Sequence, residues 1–220
     1  MSKLLIASGC SYTDQEYDGY SEHNIITWPE LVAKKLNIEF VNVALSGAPN
    51  DYICNSLTDA IFDYSHRDII IMALWTESDR WYPIKPPKRL RTKDWLVTYQ
   101  LRCMWRLNEL CKQQKVPLYQ GHSTKLFGGL SEFYFRDNRY SIEDLDLLLN
   151  NRYYNDDYFG PQNPWSNMMW MANETYIIPD DGHPNQKGHD WIAEYFLTKY
   201  EGGDFKMPSD NHNITKFIYD

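Results

Sequence analysis

Residues 68–74 read Asp-Ile-Ile-Ile-Met-Ala-Leu, and the rest of the chain arranges itself around them. The apolar run shows neither strict alternation nor a helical period, the pattern of a strand covered on both faces. Strands of this kind sit in parallel sheets, where crossover helices coat both sides. A second such run, Lys3 to Ala7, opens the chain.

Between and beyond these runs lie segments with helical spacing. Trp28 to Leu36, with Pro29 near its start, places Trp28, Leu31, Val32 and Leu36 on one face. Asn50 to Tyr64 repeats Ile53, Leu57, Ala60 and Ile61 at core spacing. Asp94 to Lys115 offers Val97, Leu101, Met104 and Trp105 as core positions. Pro184 to Tyr200 is the last helix, with Pro184 at its first turn and Trp191, Ile192, Tyr195 and Phe196 inward. Glu39 to Ala44 and Val116 to Gln120 supply two further strands. Strands alternating with helices predict an α/β fold, a mostly parallel sheet between two helical layers. The 220 residues suit one domain. Residues 122–170 break the rhythm and read as an insertion at the rim, with one helix from Ser141 to Asn151; residues 201–220 read as a polar tail.

Composition narrows the function. Hydrophobic residues make up 43% of the chain, enough for a packed core. There are 22 Lys and Arg against 30 Asp and Glu, for a net charge of −8. An acidic chain repels phosphate backbones, so nucleic acid is not the expected partner. The first apolar run is too short for a leader peptide and no stretch reaches membrane-spanning length, so the expectation is a cytoplasmic chain with no membrane partner. Four cysteines without a CxxC pair read as reduced thiols.

In open parallel sheets, ligands bind beyond the carboxyl ends of the strands. Gly9-Cys10-Ser11 follows the first strand, Ser46-Gly47-Ala48-Pro49-Asn50 the second, and Trp75-Thr76-Glu77-Ser78-Asp79-Arg80 the third; Asp180-Asp181-Gly182-His183 precedes the last helix. The topology brings them to one rim. A serine hydroxyl needs a base, histidine provides one near neutral pH, and a carboxylate fixes its tautomer. Ser11 is therefore the candidate nucleophile and His183 the base. Both Asp180 and Asp181 can reach the ring. The N–H groups of Ser11 and Gly47 are candidate oxyanion donors. Rival readings exist for several residues. Ser11 could be a helix cap, Cys10 a thiol nucleophile, and His183 with His189 and an aspartate a metal set. The basic stretch Lys85 to Lys93 reads as a solvated loop, or as a seat for an anionic substrate. Phe133, Tyr134, Phe135, Tyr140, Trp165 and Trp170 read as an insertion core or as platforms for sugar rings.

Gly9-Cys10-Ser11, the run from Asn42 to Asp51 and the closing Asp180-x-x-His183 resemble the SGNH/GDSL hydrolases. The match spans the chain on about four short anchors. The resemblance implies a flavodoxin-like α/β/α sandwich and a serine esterase using Ser11, His183 and Asp180, the aspartate favoured by family spacing. The expected substrate is a small-molecule or carbohydrate ester, an O-acetyl group being one form of the acyl; no cofactor is expected, and no further Cys or His cluster supports a metal. The chain has Cys10 where the family has Asp. It also lacks the family's oxyanion Asn after strand three, for which Thr76, Ser78, Arg80 or Asn50 are the substitutes. That departure motivates one alternative, an inactive binding or structural protein such as a virion component; an O-acyltransferase is a further one.

Overall fold

In the computed structural model, the structure describes residues 3–76, 80, 93–123, 132–135, 138–141, 176–178 and 181–203. Four strands, β1 (Lys3–Ser8), β2 (Glu39–Asn42), β3 (Asp68–Trp75) and β4 (Leu118–His122), form one sheet in the order β2-β1-β3-β4. Every pairing in it is parallel. In register, Ile6 lies beside both Val41 and Ile71, and Ile71 beside Leu118.

The apolar runs alternate between two cores. Leu4, Ile6, Ile69, Ile71, Ala73 and Trp75 face α3 (Asn50–Asp63) and α4 (Lys93–Gln114). Leu5, Ala7, Ile70, Met72 and Leu74 face α2 (Trp28–Leu36) and α5 (Gln186–Tyr200). Both strand faces are thus buried, which is why no polar residue interrupts them. The result is the expected three-layer α/β/α sandwich with a parallel, flavodoxin-like sheet. Ile71 is fully buried at its centre. Ile71→Ala is expected to lower unfolding stability by about 2–5 kcal/mol, read from urea midpoints at constant slope.

The strand order places the site. After β2, the chain passes over β1 to lay β3 on its other side. The direction of winding reverses there, opening a crevice beyond the ends of β1 and β3.

Several elements differ from the sequence reading. A short helix α1 (Asp18–Glu22) follows β1. β2 ends at Asn42, whose side chain turns back to accept from the Ala44 N–H (3.1 Å) and to donate to the Thr13 carbonyl (2.6 Å). α5 starts at Gln186, because Pro184 pairs with Ile177 in a β-bridge and Asn185 caps the helix by accepting from the Gly188 N–H at 3.1 Å. Trp105 is 40% exposed rather than core. It sits one residue beyond Met104, turned off the face that Cys103, Met104, Leu107 and Cys111 bury. In the segment read as an insertion, β5 (Glu132–Phe135) and β6 (Asn138–Ser141) form an antiparallel hairpin. The proposed helix after Ser141, the side chains of Val97 and Leu101, the stretch Lys85 to Arg91 and the tail from residue 204 lie outside the described residues.

Candidate active site

The loop after β1 is a tight turn. The N–H groups of Thr13 and Asp14 both donate to the Cys10 carbonyl, at 2.8 and 3.1 Å. Gly9 admits this turn, since a Cβ there would lie 2.1 Å from Thr13 Oγ1 and 3.1 Å from the Leu74 carbonyl. Trp28 Nε1 donates to Thr13 Oγ1 (3.2 Å) and ties the turn to α2. Cys10 is buried in the core. Ser11 points the other way, with its Oγ 2.8 Å from His183 Nε2.

His183 comes from a second, closed loop. The Ile178 N–H donates to the His183 carbonyl (2.8 Å), the Asn185 N–H to Tyr176 (3.0 Å), and Asn185 Nδ2 to Ile177 (3.1 Å). Gly182 turns the loop with φ +74°, a conformation that side-chain-bearing residues rarely take. Its carbonyl accepts from the Tyr12 hydroxyl at 3.2 Å. This turn sets Asp181 and His183 side by side, with Asp181 Oδ1 2.8 Å from His183 Nδ1. Among the described residues the carboxylate on the ring is that of Asp181, where family spacing favours Asp180. Asp180 itself lies outside the described residues.

Two residues shape the electrostatics. The Tyr17 hydroxyl donates to the same Asp181 oxygen at 2.7 Å, and its ring stacks on His183 with centroids 4.2 Å apart. Burial raises the Asp181 carboxyl. The bonds from Tyr17 and His183, with the nearby His183 and His23 rings, outweigh it and hold the group below the ordinary carboxylate range. Burial, and then the Asp181 carboxylate, push the Tyr17 hydroxyl up to about 12, so it stays protonated and able to donate.

The loop after β2 is fastened beside the serine turn. Asp14 Oδ2 accepts from the Ser46 N–H and the Ser46 hydroxyl, both at 2.7 Å, and the Leu45 N–H donates to the Gly9 carbonyl at 3.3 Å. Gly47 follows, exposed and with φ +74°. The N–H groups of Ser11 and Gly47 donate to no acceptor among the described residues. Asn50, one of the residues considered for the oxyanion role, is engaged elsewhere. Its amide donates to the Thr76 carbonyl (2.9 Å) and accepts from the Thr76 N–H (2.8 Å). It holds the first residue after β3 against α3. Of the other substitutes, Ser78 lies outside the described residues, while Thr76 is buried with its hydroxyl unpaired among them.

His189 does not join His183. It is fully buried, its Nδ1 accepts from the Trp28 N–H at 3.2 Å, and burial lowers its pKa to about 3. Among the described residues no group of three or more His, Cys, Asp or Glu is placed to hold a metal ion. Likewise, no described helix is long and apolar enough to cross a membrane. The sequence reading missed Asp14 and Tyr17. Asp14 sits three residues from Ser11, but its partner Ser46 is distant in sequence; Tyr17 lies among tyrosines that mark nothing by spacing alone.

No protein-family model matches the chain, and no curated protein does. Solved structures do. The psychrotrophic esterase EstA from Pseudoalteromonas sp., in a structure inhibited by monoethylphosphonate, is 10% identical with a TM-score of 0.53, over 92% of this chain and 98% of that one. A catalytic mutant of Axe2, an acetylxylan esterase from Geobacillus stearothermophilus, with an aspartate replaced by alanine, is 17% identical with a TM-score of 0.53, over 90% and 93%. A second, with a serine replaced by alanine, is 16% identical at the same TM-score, over 94% and 97%. At such identities the likeness is one of fold, and this chain shares its α/β fold with these esterases along nearly all of both lengths.

Proposed function

We propose that the chain is a serine ester hydrolase of the SGNH type, acting on a small acyl ester, with an O-acetylated carbohydrate as the leading substrate class. The observation that carries this reading is the unbroken line from Ser11 Oγ to His183 Nε2 and from His183 Nδ1 to Asp181 Oδ1, 2.8 Å at each step. A binding protein has no need of a hydroxyl, an imidazole and a carboxylate in that order. The esterase fold supports the same reading, and the acetylxylan specificity of Axe2 supports the substrate class.

In the proposed reaction, Ser11 Oγ forms a bond to the carbonyl carbon while His183 Nε2 takes the hydroxyl proton. Asp181 holds the proton on Nδ1 and stabilises the imidazolium. The N–H groups of Ser11 and Gly47 receive the oxyanion. Collapse breaks the ester C–O bond, and the Nε2 proton goes to the leaving alkoxide. Water then attacks the acyl-serine with His183 again as base, releasing the acid and restoring Ser11.

A serine-directed fluorophosphonate tests this directly; EstA, which shares the fold, is inhibited by monoethylphosphonate. A fluorophosphonate is expected to label the wild-type chain at Ser11, shown by peptide mass spectrometry, and wild type is expected to hydrolyse p-nitrophenyl acetate. Absence of both labelling and turnover would favour a binding protein. Acyl transfer to an added sugar in preference to water would mark an acyltransferase.

A further inference from the structure

We infer that Tyr17 is a positioning residue for the His183–Asp181 pair, acting through its hydroxyl on the carboxylate and through its ring on the imidazole; the inference rests on the hydrolase reading above. Its hydroxyl converges with His183 Nδ1 on one oxygen, Asp181 Oδ1, at 2.7 and 2.8 Å, and lies 3.1 Å from Nδ1 itself. Asp181 stands on a loop beside a glycine and keeps 28% of its side chain exposed, so core packing alone does not hold it. The bond from Tyr17 removes one degree of freedom that would otherwise let the carboxylate swing off the ring.

The ring adds a second effect. It lies over the imidazole at 4.2 Å and 28° between planes. When His183 takes the serine proton, the new positive charge faces the negative π surface of the tyrosine. That attraction is present in the transition state and absent in the resting neutral ring, the difference that accelerates a reaction.

The tyrosine is itself fixed. Tyr20 meets it edge-on at 4.9 Å, and the fully buried His189 meets Tyr20 edge-on at 4.6 Å. A line of rings thus runs from the interior of α5 to the proposed base. Gly19 leaves the space, because a Cβ there would come within 2.7 Å of the Tyr17 ring and 3.1 Å of Asp181 Oδ2.

The test compares wild type with Tyr17→Phe, which keeps the ring, and Tyr17→Leu, which loses ring and hydroxyl. Fluorophosphonate titration counts working sites, so that kcat is expressed per labelled site and folding losses drop out. Tyr17→Phe is expected to lower kcat about tenfold with KM little changed. Tyr17→Leu is expected to fall by roughly a further fivefold. Without any substrate, the His183 Nδ1 proton in the NMR spectrum is expected to exchange with water faster in Tyr17→Phe. A labelled Tyr17→Phe that matches wild type in kcat and in proton exchange overturns the inference and leaves the hydrolase reading standing. A wild type that neither labels nor turns over overturns the hydrolase reading, and the catalytic part of this inference with it; unchanged proton exchange then removes the rest.

Discussion

His183→Ala is expected to lower kcat on p-nitrophenyl acetate by roughly a million-fold, and adding Ser11→Ala to lower it little further. In the proposed mechanism the two side chains act as one unit. Without the imidazole, the serine proton has no side-chain acceptor within reach among the described residues, and a neutral hydroxyl is a poor nucleophile. Without the serine, the imidazole has nothing to activate. Each single change therefore removes the same step, and the losses do not add. On an acetylated sugar the loss should be greater than on the nitrophenyl ester, because an alkoxide needs the proton that His183 returns whereas a nitrophenolate leaves without it. The substitution leaves the fold intact. His183 is half-buried at the rim, and Asp181 keeps its bond from Tyr17. Circular dichroism should match wild type, and the urea midpoint should fall only modestly, through loss of the bond to Asp181 and the stack on Tyr17. Turnover by His183→Ala within tenfold of wild type would sink the mechanism.

The sheet was legible because its strands are buried on both faces. An unbroken apolar run such as Ile69 to Leu74 suits a covered strand and fits little else in a chain whose neighbouring segments carry helical spacing. The helices were legible from one-sided spacing, and their errors fall where spacing says nothing. Pro184 looks like a first helical residue because it fixes φ and lacks an N–H. Its pairing with Ile177 depends on a residue seven positions back that no periodic pattern connects to it. Trp105 shows the other failure. Its bulk suggests burial, but helix geometry turns it away from the face that Met104 occupies.

For the site, short motifs were informative and side-chain choices were not. The turn after β1 and the loop before α5 could be named because glycine, serine, histidine and aspartate cluster there. That they meet follows from strand order, which the alternation of elements implies. Which aspartate reaches the ring depends on φ at one glycine. Gly182 in its left-handed conformation puts the residue before it, Asp181, beside His183, and spacing cannot report a dihedral angle. The engagement of Asn50 was hidden for a related reason. An exposed loop amide and one clamped on the Thr76 backbone look the same in sequence.

Asp181→Asn separates the two aspartates. It is expected to lower kcat by roughly ten-thousand-fold. An amide in that place can donate where a carboxylate accepts, so it favours the imidazole tautomer with the proton on Nε2. That tautomer cannot take the serine proton. It also removes the negative charge that stabilises the imidazolium. Asp180→Asn should keep wild-type turnover within a few-fold, since the ring nitrogen is already occupied. The opposite ranking would return the role to Asp180. Acidity gives a second readout. The Asp181 carboxyl is held below the ordinary carboxylate range, because its hydrogen bonds and neighbouring rings outweigh burial. A lowered carboxylate pKa contributes stability that is present above the unfolded value, near 3.9, and is lost as pH falls through the folded value. Unfolding midpoints measured downward from pH 5 should therefore drop more steeply for wild type than for Asp181→Asn, and the two should converge at the acid end. Parallel curves would mean that the carboxylate is not engaged as described.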